Sequence, residues 1–143
     1  MRLERFIDAQ APIYAQALGE LRAGQKQSHW MWFIFPQIAG LGQSPTSRAY
    51  AIQSLQEAQA YLSHPVLGAR LRECCQMLMN ARGNSARDIF GPIDAMKLHS
   101  CLTLFAEADH EEVLFHNLLE KYFDGDADKA TLEILADQAS DGL

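Results

Sequence analysis

Between Pro92 and Ala108 the chain reads PIDAMKLHSCLTLFAEA, and Met96, Leu98, Cys101, Leu102, Leu104 and Phe105 fall on nearly every side of a helix. A helix that is apolar all round cannot lie on a surface, so the other segments must wrap around it. Gly91-Pro92 gives it a start, because proline at the first helical position sacrifices no hydrogen bond.

The flanking segments also carry helical spacing. Leu3, Phe6, Ile7, Ile13, Tyr14, Ala17, Leu18 and Leu21 predict a first helix to about Leu21, broken or restarted at Pro12 and stopped by Gly24. Ser44 followed by Pro45 predicts an N-cap and a helix running through Tyr50, Ile52, Leu55, Ala58 and Leu62 to Ser63. A further helix is expected over residues 65–81. Ser85 and Asp88 then cap a short turn to Phe90. Asp109 is expected to cap a helix carrying Val113, Leu114, Leu118, Leu119, Tyr122 and Phe123, and the last helix spans Lys129 to Gln138.

Only residues 28–36, SHWMWFIFP, have no period. Their aromatic content favours a strand, but a lone strand has no partner for its backbone, so a short buried helix is expected and the strand stays the alternative. The expectation is an all-α, single compact multi-helix domain over residues 1–143, with about six or seven helices around the central apolar helix near residues 92–108. At this length the core needs no metal or disulfide to hold it.

Several function classes are disfavoured. The segment MRLERFIDAQ carries Arg2, Glu4, Arg5 and Asp8 where a secretory signal needs a continuous apolar stretch, and the apolar run Trp30 to Pro36 is far shorter than a membrane span. Adjacent Cys74 and Cys75 with a distant Cys101 do not form a disulfide framework, which favours a reducing cytoplasm. The net charge of −6 sits in residues 101–143, which have two basic and eleven acidic side chains. Such a chain repels phosphate backbones at long range, so broad nucleic-acid binding is not expected.

SHWMWFIFPQIAGLGQSPTSRAYAI, then HPVLGARLRE, IFGPIDAMKLHSCLTLF and LEKYFDGDADKATLEIL, resemble successive blocks of the family catalogued as domain of unknown function 1810. The resemblance covers nearly the whole chain and implies a mainly helical fold without implying an activity. Some members of that family carry the label calpastatin, but that inhibitor family consists of disordered, low-complexity chains unlike this one, and the label is not adopted.

Two constellations stand out chemically. Gly40-Leu41-Gly42-Gln43-Ser44 leads into a helix start, where unpaired N–H groups favour an anion; Ser44, Ser47 and Arg48 add donors, and Lys26, His29, Trp30 and Gln37 lie close in sequence. The loop is neither a Walker loop nor a strand-led dinucleotide fingerprint, and caps, turns and core aromatics alone also account for it. The second is Asp94, Lys97, Ser100 and Thr103, spaced by three along the central helix. Lys97 must pair with Asp94 or line a polar cleft, and a structural ion pair explains it equally well.

No metal or cofactor is expected. Glu112 and His116 lack a matching second pair, and Asp124, Asp126 and Asp128 start a calcium-type loop that fails at Lys129 and Leu135. Two functional readings follow. In one, a polar pocket binds and acts on a small anionic metabolite, phosphate-bearing or nucleotide-like, with Lys97 polarising or abstracting, Asp94 orienting it and His29 carrying the proton; Lys26, Trp30, Gln37, Ser44, Ser47, Arg48, Ser100 and Thr103 bind. In the other, a non-enzymatic module uses the acidic C-terminal third against a basic protein partner. The apolar loop Ile38 to Leu41 is a candidate for homodimerisation.

Overall fold

The computed structural model describes residues 2–141. Nine helices lie among them: α1 (Glu4–Gln10), α2 (Tyr14–Ala23), α3 (Met31–Ile34), α4 (Pro45–Ala49), α5 (Leu55–Ser63), α6 (Leu67–Asn80), α7 (Ala86–Ala108), α8 (Val113–Phe123) and α9 (Lys129–Asp141). All nine fall on expected helical segments: α3, a single turn of four residues, is the short helix expected in residues 28–36, and α4, of five residues, is the first piece of the helix expected from Pro45 to Ser63. Pro12 separates α1 from α2, and Gly24 ends α2 in the left-handed region at φ 76°.

α7 is the centre, packed against α5, α8 and α9. Ser85 and Asp88 close a capping box at its start, and Gly91, at φ 80° and ψ 166°, breaks the helix before Pro92 restarts it. Of residues 98–108, all but His99 and Glu107 are buried. Phe105 meets Tyr61 and Phe115 at ring separations of 5.4 and 5.8 Å. The turn that follows Pro92 is different: Met96, expected in the apolar core, is 72% exposed, because this stretch of α7 borders a cleft instead of a neighbouring helix.

Within residues 28–36 the expected short buried helix is the single turn Met31–Ile34. Met31, Ile34 and Phe35 are buried, and Trp30 packs edge-on to Phe90. Among the described residues the sheet-like pairing that does occur is a single parallel bridge between Ile38 and Ile52, with Ala39 N–H donating to Ile52 C=O and Ile52 N–H to Gln37 C=O, both at 2.8 Å. That bridge overturns the expected continuous helix from Pro45 to Ser63. α4 stops at Ala49, residues 50–53 extend to reach Ile38, and Ser54 restarts the helix by accepting Glu57 N–H.

Asp109 also departs from expectation. It ends α7 and its Oδ1 accepts Glu111 N–H, whereas α8 begins after Glu112, whose carboxylate is held by Arg72 at 2.9–3.1 Å instead of capping. The loop considered for dimerisation offers little apolar surface, since Ile38 is buried in the bridge and Leu41 is half-buried. Among the described residues no helix is long and apolar enough to cross a membrane.

Candidate functional site

Glu20 organises the first wall. Its Oε1 accepts the N–H groups of Gln27 and Ser28 and the indole N–H of Trp30, and its Oε2 accepts the Ser28 hydroxyl. Burial alone would raise this carboxyl, but those four donors outweigh it and pull the group down to about 2. The loop between α2 and α3 is thereby fixed, with Lys26 and His29 on it. A carboxyl lowered in the folded chain contributes stability above its ordinary titration near pH ~4.3 and loses it as pH falls toward 2. Glu20→Gln should therefore unfold more easily at neutral pH, by about 1–3 kcal/mol, and show a flatter stability profile between pH ~4.5 and 2 than the parent. Urea midpoints at a series of pH values would show this; parallel profiles would contradict it.

The second wall is the loop between α3 and α4. The Ile38–Ile52 bridge fixes the backbone at Gln37, and the chain then folds tightly over Trp32. At Gly42 a Cβ would lie 2.6 Å from Ser47 Oγ and 3.1 Å from Trp32 Cη2, so only glycine allows this approach. The third wall is the open end of α7. Asp94 receives Lys26 Nζ at 2.8 Å and Lys97 Nζ at 3.3 Å, on different carboxylate oxygens. Lys97 Nζ also stands 4.3 Å from the centre of the Trp32 ring, within reach of its π face.

Trp32 is thus a partition. On one side lies a cleft of about 510 Å³ reaching Gln37, Ser47, Lys97 and Ser100, and on another a recess of about 380 Å³ holding Lys26, His29, Asp94 and Lys97. A smaller cavity of about 180 Å³ lies behind Gln37 and Ser47. The two sequence constellations therefore meet: Ser44 and Lys97 border both larger spaces.

Individual residues differ in what they offer. Lys26, His29, Asp94 and Lys97 share the recess, with His29 exposed. Gln37 is 4% exposed and its Nε2 has no hydrogen-bond partner. Ser44 Oγ already accepts Ser47 N–H, and Ser47 Oγ donates to Ser44 C=O, so the anion-catching start expected at α4 is a one-turn helix capped by its own side chains. Arg48 is exposed, bonds Gln43 and faces the small cavity.

Trp30 and Thr103 are both tied into the fold, Trp30 while also lining the recess. Trp30 is 1% exposed and tied to Glu20, so the ring that the larger cleft meets is that of Trp32, a residue the sequence reading passed over. Thr103 is buried, donating to His99 C=O and accepting Asp128 N–H, which locks the start of α9 to α7. Asp128 and His99 also border the larger cleft. The Asp128 signal was present in sequence: an aspartate directly before Lys129 is an N-cap, and its Oδ2 accepts Thr131 N–H and Oγ1–H together with the Ser100 hydroxyl.

A family profile described as protein of unknown function (DUF1810) matches residues 1–135. The crystal structure of a conserved hypothetical protein, Rv1873 from Mycobacterium tuberculosis, is similar with a TM-score of 0.92 and 51% sequence identity, over 94% of this chain and 96% of that one. A comparison with curated proteins gives no match.

Proposed function

Because the chain belongs to the DUF1810 family, whose description names no activity, we propose a function from the cleft itself: binding a small anionic metabolite, phosphate-bearing or nucleotide-like, in the recess beside Trp32. One observation carries this reading. Two lysines, Lys26 and Lys97, share a single carboxylate in a partly buried recess, their side chains 8% and 24% exposed, which leaves one positive charge unmatched there. In a chain of net charge −6 that is a local reversal of sign, and a partly desolvated cation is most favourable when an anion joins it.

The same recess can support proton transfer next to a bound group. Lys97 polarises it, Asp94 orients Lys97 from 3.3 Å, and the exposed His29 exchanges protons with solvent. A reducing cytoplasm suits the three free, buried thiols of Cys74, Cys75 and Cys101.

Melting in the presence of inorganic phosphate and ribose 5-phosphate tests the binding. A ligand at about 100 times its Kd should add roughly 2.7 kcal/mol of stability, a shift of several degrees. Lys97→Gln should weaken the effect at least about tenfold in ligand concentration. Lys26→Gln, read alongside, guards against a folding defect in one variant. No stabilisation by any phosphate compound, or stabilisation in both folded variants undiminished from the parent's, would remove the proposal.

A further inference from the structure

Anion binding in the recess leaves two features of the larger cleft unused. The first is Gln37, whose buried Nε2 lacks a partner in the wall between that cleft and the small cavity behind it. A buried donor without an acceptor costs about 1–3 kcal/mol, and proteins retain few of them. The second is the lip. Ile93 and Met96 are 70% and 72% exposed, two of four large apolar side chains so placed among the described residues, and both border this cleft with Leu41 and Trp32.

These features restrict the occupant. An alkyl chain would cover the apolar lip and leave Gln37 unpaired. A sugar phosphate would supply an acceptor and leave the lip in water. A planar heterocycle does both, presenting faces to Trp32, Ile93 and Met96 and an edge to the amide.

Charge sets its orientation. Lys97 stands on the side toward the recess, while Asp128 stands in the wall of the larger cleft. The donors from Ser100 and Thr131 all fall on Asp128 Oδ2, and none of them reaches Oδ1. A carboxylate there disfavours a phosphate and favours an N–H. His99 adds no competing donor through Nε2, which is engaged by Asp126 C=O at 2.7 Å, while its ring is stacked on Phe123.

We propose that the larger cleft is a subsite for an amino-substituted nitrogen heterocycle. Its ring acceptor meets Gln37 Nε2, its amino group faces Asp128, and a phosphate attached to it reaches Lys97 and Lys26 around the edge of Trp32. The ligand class is a nucleoside monophosphate with an amino-bearing base. The phosphate half of this assignment rests on the anion site proposed above; the ring half rests on Gln37 and the lip.

Calorimetric titration of the whole chain with AMP, CMP, adenosine and ribose 5-phosphate tests it. AMP or CMP should bind at least about tenfold more tightly than ribose 5-phosphate, and Gln37→Leu should abolish that advantage while leaving ribose 5-phosphate unchanged. The unliganded Gln37→Leu chain should melt no earlier than the parent, because the substitution removes an unsatisfied donor. Ile93→Ser, at an exposed position that folding does not depend on, should also weaken AMP and spare ribose 5-phosphate. Equal affinity for AMP, CMP and ribose 5-phosphate would overturn the ring subsite and leave the anion site standing. Adenosine binding that depends on Gln37, without any response to phosphates, would do the reverse. No binding of any of the four would overturn both.

Discussion

Arg5→Met should lower the stability of the fold by about 3–5 kcal/mol, the range expected when one member of a buried ion pair is removed and the other is left behind. Arg5 Nη2 lies 3.1 Å from Glu57 Oε1, and the two side chains are 11% and 6% exposed. The guanidinium also donates to the carbonyls of Arg2, Ala49 and Ala51, so the substitution strands acceptors as well as a charge. For a chain of this size the melting temperature should fall by about 10–20 °C. Glu57 accepts Gln53 N–H in turn, and Ala49, Ala51 and Gln53 flank the extended segment that pairs with Ile38. The pair therefore clamps the strand-like stretch that fixes Gln37. Chemical denaturation of Arg5→Met, Glu57→Leu and the double variant checks this. The double variant should be more stable than the sum of the two losses predicts, because no charge is left unpaired. Strict additivity would show that the pair is not coupled.

That clamp also explains where sequence reading stopped. Helical spacing located the centre of the fold, because residues 98–108 need burial on every side whatever surrounds them. The capping box at Ser85 and the stop at Gly24 were legible for the same reason: each is satisfied within a few residues. The break after Ala49 was not, since it depends on a bridge to Ile38 fourteen positions from Ile52. A local trace existed in Ser54 and Glu57, a serine and a glutamate three apart.

The site was legible in part for similar reasons. Asp94, Lys97, Ser100 and Thr103 were read as one stripe, but a step of three residues falls about 60° short of a full turn, so the stripe winds around the helix. Asp94 and Lys97 face the recess, Ser100 reaches the larger cleft and Thr103 passes under α9. The tryptophans were harder. In an unbroken run of large apolar residues nothing local separates an inward ring from an outward one. Packing decides it: Trp30 turns to Phe35, Phe90 and Glu20, which leaves Trp32 beside Lys97.

Asp94→Asn should move stability and binding in opposite directions, which a purely structural role for the Lys26–Asp94–Lys97 chain would not do. Removing the carboxylate leaves two ammonium groups facing each other across the position it held, one at 2.8 Å and one at 3.3 Å from its oxygens. The fold should weaken by about 1–3 kcal/mol, less than for Arg5, because Lys26 keeps its bond to Ser28 C=O and Lys97 keeps its place over Trp32. A bound phosphate no longer competes with a fixed carboxylate, so its affinity should rise about tenfold, worth about 1.4 kcal/mol, and depend more steeply on salt. Paired melting curves with and without inorganic phosphate measure both quantities on one sample. A loss of stability with no change in phosphate affinity would reduce the three residues to a lock between α7 and the loop after α2. A gain in affinity together with a loss of stability would show that Asp94 and the bound anion draw on the same two ammonium groups, those of Lys26 and Lys97.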